Sequence, residues 1–232
     1  MADPYLRIER QAVAAARAVV APAAPAPGVA DVSFTVLPDA AAIESLLGAA
    51  AGSERDVAAS AAIDPATGVP RVFINKAAMS TLNDQGVRIV LTHEATHVLT
   101  GVVGNTAMPL WLVEGFADYV ALLGVHKPLS VEAGRILAEV KDGQLPDRLP
   151  LQPDFDAARA AGADAYTAVY EASWLACRWL AQSSGQGALV RLYVDVRDGT
   201  PVDQAMRDDI GMTLATFTSQ WQRNLRLLAT RP

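Results

Sequence analysis

Two histidines, His93 and His97 in the stretch LTHEATHVL, stand four residues apart with Glu94 beside the first, in a chain of 232 residues that holds only three histidines. On an α-helix, positions four apart are neighbours whose Cβ atoms lie about 5–6 Å from each other. Two imidazoles so placed can both reach one ion at the usual zinc–nitrogen distance of about 2.0–2.1 Å. Glu94 is rotated by about 100° from His93, so it need not bind the ion and can lie alongside it, taking a proton from water. Chance is the competing explanation. With so few histidines, HExxH arises at random with a probability on the order of one in a thousand, and the short pattern needs a third ligand before it means anything.

The stretch MPLWLVEGFADYVALLG supplies that ligand. Glu114 is followed four residues later by Asp118, on one face of a second helix whose first turn carries Pro109. Trp111, Leu112, Val113, Phe116, Tyr119 and Val120 make this helix apolar nearly all round, which predicts burial. Unpaired buried carboxylates are costly, and a metal removes that cost. Glu114 is the candidate third ligand. Asp118, one turn on, is placed to accept the second ring N–H of a ligating histidine and to fix its tautomer.

The elements that must position these groups follow from periodicity. Val87, Leu91, Ala95 and Val98 form one apolar stripe on the histidine helix, and His93 and His97 fall on another side. Between Asp31 and Asn75 the pattern is of short β-type runs, DVSFTVL, VAASAAI and RVFIN, with the helix DAAAIESLLGAA between the first two. RVFIN is expected to line a cleft along which a peptide lies extended with strand-like pairing. From Lys76 onward the period is helical, with helices expected near 84–100, 109–124, 130–141, 164–183, 186–196 and 213–229, and the Pro- and Asp-rich DGQLPDRLPLQPD as a loop. Residues 1–27 read as an N-terminal amphipathic helix followed by a Pro/Ala linker at 21–27.

Composition narrows the partners. Half the residues are apolar (51%) and a fifth charged (19%), enough to bury a core within one domain or at most two. The net charge of −6 and the scattered basic residues argue against nucleic acid. Arg223, Arg226 and Arg231 read as a solvated helix face, the single Cys177 as a small core residue, and His126 as a loop residue and not a ligand, the ligand set being complete without it. No apolar run is long enough to span a membrane. Arg17 interrupts the only segment with the look of an export signal. The Ala-rich composition, missing export signal and abrupt start suggest an extracellular domain cut from a longer anchored bacterial protein.

HEATH followed by Glu114 in WLVEGFADY resembles the gluzincin clan of zinc metallopeptidases, and most closely its peptidase-MA-like group, in which a Trp-Leu-x-Glu-Gly-x-Ala-x-Tyr segment follows the zinc helix. The resemblance covers roughly residues 70 to 180. It implies one zinc per chain held by His93, His97 and Glu114, Glu94 as general base, and Asp118 behind the ligands. The metzincin pattern fails, since its glycine and third histidine would fall at Thr100 and Val103. In the zinc aminopeptidase branch, a Tyr-Glu-x-Gly segment places a tyrosine that stabilises the oxyanion. Tyr170 with Glu171 is similar, with Ser173 in place of the glycine and a shorter spacing, and Tyr166 competes for the role. The Gly-x-Met-Glu-Asn segment of those aminopeptidases is absent.

The expectation is therefore an α+β, zincin-like fold: residues 28–232 form one metallopeptidase domain, with a small N-terminal sheet packed on the zinc helix (28–105) and a mostly helical part (106–232). It would hydrolyse a peptide or protein substrate through a zinc-activated water. A zinc hydrolase of a non-peptide substrate, and a catalytically inactive zincin-like binding domain, are the alternatives.

Overall fold

In the computed structural model, which describes residues 4–21, 31–55 and 57–230, the apolar run Val72, Phe73, Ile74 is buried at the centre of a three-stranded sheet. The strands are β1 (Phe34–Leu37), β2 (Ala59–Ile63) and β3 (Pro70–Asn75), in the order β1-β3-β2, with β1 parallel and β2 antiparallel to β3. An uninterrupted apolar run suits a strand covered on both faces. Because β3 is paired on both sides, it has no edge to offer, so RVFIN cannot carry a peptide by strand pairing and that expectation is corrected. The two edges of the sheet belong to β1 and β2. Asn75 N–H donates to the Ala58 carbonyl and Asp64 N–H to that of Val69. With this register Ser60 and Ala62 face β3, and the backbone groups of Ala59, Ala61 and Ile63 turn to the outer edge.

The chain divides into two compact units, residues 1–105 with 120–122, and residues 106–119 with 123–232. In the first, α1 (Leu6–Val20) packs along α4 (Asp84–Thr100), with α2 (Ala40–Leu47) against β1 and β3 and the short α3 (Lys76–Met79) following β3. Ile8, Ala12, Ala16 and Val19 of α1 recur at helical spacing and are buried, as is the predicted stripe Val87, Leu91, Ala95, Val98 of α4. Each large apolar side chain so buried contributes about 1.5–3 kcal/mol. Helix α4 also packs on β2 and β3 of the sheet. Of the predicted Pro/Ala linker, residues 22–27 lie outside the described residues.

The second unit is helical: α5 (Leu110–Leu122, its last three residues belonging to the first unit), α6 (Leu129–Glu132), α7 (Gly134–Lys141), α8 (Gln152–Ala161), α9 (Ala163–Ser184), α10 (Gln186–Arg197), α11 (Val202–Ala205), a π-helical turn (Met206–Ile210) and α12 (Leu214–Ala229). The long α9 is central and packs against α7, α8, α10 and α12. A small mixed sheet with many helices makes the fold α+β. Two expectations are corrected here. The helix near 130–141 breaks at Ala133, where the Glu171 carboxylate accepts from Ile136 N–H at 2.9 Å and starts α7 afresh. The end of the predicted loop is the start of α8, with Pro153 in its first turn, where a missing N–H costs nothing. No helix among the described residues is long and apolar enough to cross a membrane.

Candidate metal centre

The histidine helix is set at both ends by its own sequence. At its start the Asn83 side chain accepts from Gly86 N–H at 2.9 Å. At its end Gly101 takes the left-handed conformation (φ +68°) and its N–H turns back to the carbonyls of His97 and Val98. His97 thus lies in the last turn and is buried, while His93, one turn earlier, is half-buried. Thr92, Thr96 and Thr100 on the same helix are buried, and each hydroxyl donates to the carbonyl four residues back.

The two imidazoles meet edge-on, with ring centroids 4.6 Å apart and planes at 82°. Their Nε2 atoms face each other at 2.9 Å. Nitrogens bound to one tetrahedral zinc at about 2.0–2.1 Å would stand about 3.3 Å apart, so the pair has to open by only a few tenths of an ångström to share an ion. Among the described residues, His93, His97 and Glu114 each offer one ligand atom, and these atoms all lie within 4.8 Å of one another. The group could hold a metal ion. Two imidazole nitrogens and a carboxylate oxygen are the donor types of a divalent transition-metal site.

Glu94 is held by the sheet. Its Oε2 accepts from Ala61 N–H at 2.7 Å, one of the outward-facing amides of β2. That contact spans 33 residues of sequence, and nothing local in the chain announces it.

Helix α5 carries Glu114 and Asp118, both half-buried on a helix whose other residues from Trp111 to Ala121, Tyr119 excepted, are buried. The helix opens on Pro109, whose carbonyl accepts from Leu112 and Val113. Gly115, next to the candidate ligand, lets α5 touch α9. A Cβ there would lie 2.3 Å from the Ser173 carbonyl oxygen and 3.0 Å from Cys177 Sγ. Glycine inside a helical pattern is the available sequence signal for such an approach, and the motif reading did not use it. Gly115→Ala should gain about 1 kcal/mol of helix propensity, but the obstacle is backbone and cannot rotate away. Overpacking of this kind costs about 1–3 kcal/mol, so the melting temperature is expected to fall by several degrees; a rise would mean that α5 separates from α9 freely.

Cys177, fully buried, is the core residue the sequence implies; burial pushes its thiol well above the ordinary value, with the Asp118 charge adding. His126 is exposed in the loop before α6, and Arg223 and Arg226 are exposed on α12, with Arg231 outside the described residues.

Tyr166 and Tyr170 stand one turn apart on α9 with hydroxyl oxygens 3.1 Å apart. Burial pushes the Tyr170 phenol well above its ordinary value, and the Glu114 charge, Tyr166, and the Asp118 charge push the same way. The phenol therefore stays protonated, and able to donate, across the neutral range. Tyr166 is one step removed, its hydroxyl shared between Tyr170 and Arg159. Glu171, by contrast, is committed to α7: burial raises its carboxyl, while the amides of Ile136 and Arg135 pull it back.

Compared with known proteins, the chain matches no family model, no curated protein and no solved structure.

Proposed function

We propose that the chain is a zinc-dependent peptidase of zincin-like fold in which His93, His97 and Glu114 hold the ion and Glu94 is the general base. The observation that carries this reading is the grouping of the three ligand atoms within 4.8 Å, with Glu94 directly following the first ligand on the same helix. Zinc bound by such a set supplies a Lewis acid and lowers the pKa of water at the open position.

The chain's own residues account for the remaining steps. Glu94, oriented by the Ala61 amide, takes a proton from the attacking water and passes it to the leaving amine. Tyr170 donates to the oxygen of the scissile carbonyl as that oxygen gains charge. Asp118 orients a ligating histidine by accepting its second ring N–H. An extended peptide would pair along the outer edge of β2, where the carbonyls of Ala59, Ala61 and Ile63 face outward, so β2 takes the part that the sequence reading gave to β3.

A broad peptide library incubated with zinc-loaded protein is expected to be cut, with cutting abolished by a chelator and restored by added zinc. Zinc retained with no peptide cleaved would put a hydrolase of another substrate class, or a binding domain, in place of the peptidase.

A further inference from the structure

Arg159 lies on α8 and is exposed, yet its guanidinium Nη2 donates to Tyr166 Oη at 2.6 Å, and its Cζ stands 4.8 Å from the centre of the Tyr166 ring. The Tyr166 and Tyr170 rings meet edge-on at 5.0 Å, and Phe155, also on α8 and buried, meets the Tyr170 ring edge-on at 5.2 Å. The ring of Tyr170 is thus held by aromatic contacts, and its hydroxyl by a chain of oxygens ending on a cation. We propose that Arg159, through Tyr166, sets the direction in which the Tyr170 hydroxyl donates, so that Arg159 is a positioning residue of the site. Its consequence for turnover rests on the peptidase reading; the relay itself does not.

The direction follows from what each group can do. A guanidinium only donates, so the Tyr166 oxygen must accept from Arg159. Accepting a charge-assisted bond draws electron density from that oxygen and strengthens its own O–H as a donor. Its one proton therefore goes to the Tyr170 oxygen. With that oxygen accepting from Tyr166, the Tyr170 proton has to leave along another line, and the carboxylates of α5 whose charges act on this phenol, Glu114 and Asp118, draw it toward themselves. Reversing the chain would leave Tyr170 donating to Tyr166 and unable to donate to a substrate. Because Arg159 is exposed, its pairing contributes little to stability, which separates its role from a structural one.

The chain has five tyrosines, so labelling each ring's ζ carbon with 13C gives five NMR lines that single Tyr→Phe variants assign. In Arg159→Met the lines of Tyr166 and Tyr170 are both expected to move while those of Tyr5, Tyr119 and Tyr193 stay; Tyr166→Phe should move the Tyr170 line, and Arg159→Lys should hold both near their wild-type places. On a cleaved peptide, Arg159→Met should lower kcat by about 3- to 10-fold, the size of one lost hydrogen bond, with KM and melting temperature nearly unchanged and Arg159→Lys restoring most of the loss. Movement of the Tyr166 line alone in Arg159→Met would overturn the relay. Movement of both lines with kcat unchanged would overturn the positioning role. If the zinc-loaded wild type cuts no peptide, the peptidase reading fails, and the line positions alone still decide for or against the relay.

Discussion

Glu94→Gln is expected to retain its metal and to lose about 10²–10⁴-fold in kcat, the range for removing a general base. The substitution keeps shape. A glutamine oxygen can still accept from Ala61 N–H, so the side chain should stay where that 2.7 Å bond holds it. What it cannot do is take up a proton. His93 and His97, the residues of α4 that the reading gives to the metal, are left as they are. Unchanged metal content with lost turnover is thus the signature of a base beside the ion. Loss of the metal in this variant would make Glu94 a ligand, and the assignment of roles along HEATH would have to change.

Tyr170→Phe carries the second large effect. If its hydroxyl donates to the oxyanion, the bond exists mainly in the transition state, so kcat should fall by about 10²–10³-fold with KM nearly unchanged. A tyrosine that only packs behaves otherwise: the variant would lose about 0.5–1.5 kcal/mol of stability and keep its activity. Tyr166→Phe, measured on the same peptide, should cost less than Tyr170→Phe, because its hydroxyl is one link further back, between Tyr170 and Arg159. Full kcat in both variants would pass the oxyanion role to another group.

The parts of this chain that were legible in its sequence are those whose causes are local. The cap Asn83, the apolar stripe of α4 and the terminating Gly101 define the histidine helix within themselves, and the bounds expected for it are those observed. The β-type runs became strands for the same reason. What stayed hidden was set by distant partners. Nothing in RVFIN says that β1 and β2 will flank β3 on both sides and leave it no edge. The restart after Ala133 is capped by a carboxylate 35 residues beyond Ile136. Helix α8 was concealed by its proline-rich approach, although Pro153 stands where a helix tolerates proline and Asp154 closes the first turn by accepting from Leu151 N–H at 2.8 Å. With α8 unread, Arg159 had no place near Tyr166.

At the candidate centre, spacing on one helix was enough to pair His93 with His97, since neighbours four apart need no tertiary information. The choice of Glu114 used the cost of a carboxylate on an apolar helix, a physical argument that survives burial of its flanks. The Ala61 amide on Glu94 and the close approach at Gly115 were out of reach, because each depends on how two elements meet.

The central claim, a zinc centre built on His93, His97 and Glu114, is tested most directly by elemental analysis of the purified chain beside its His93→Ala and Glu114→Ala variants. The account predicts about one zinc per wild-type chain after loading, and a clear loss in both variants, with three protein ligands and an open position. A wild type that takes up no zinc even when loaded would contradict it, as would stoichiometric iron, which the same two-histidine, one-carboxylate set can also bind.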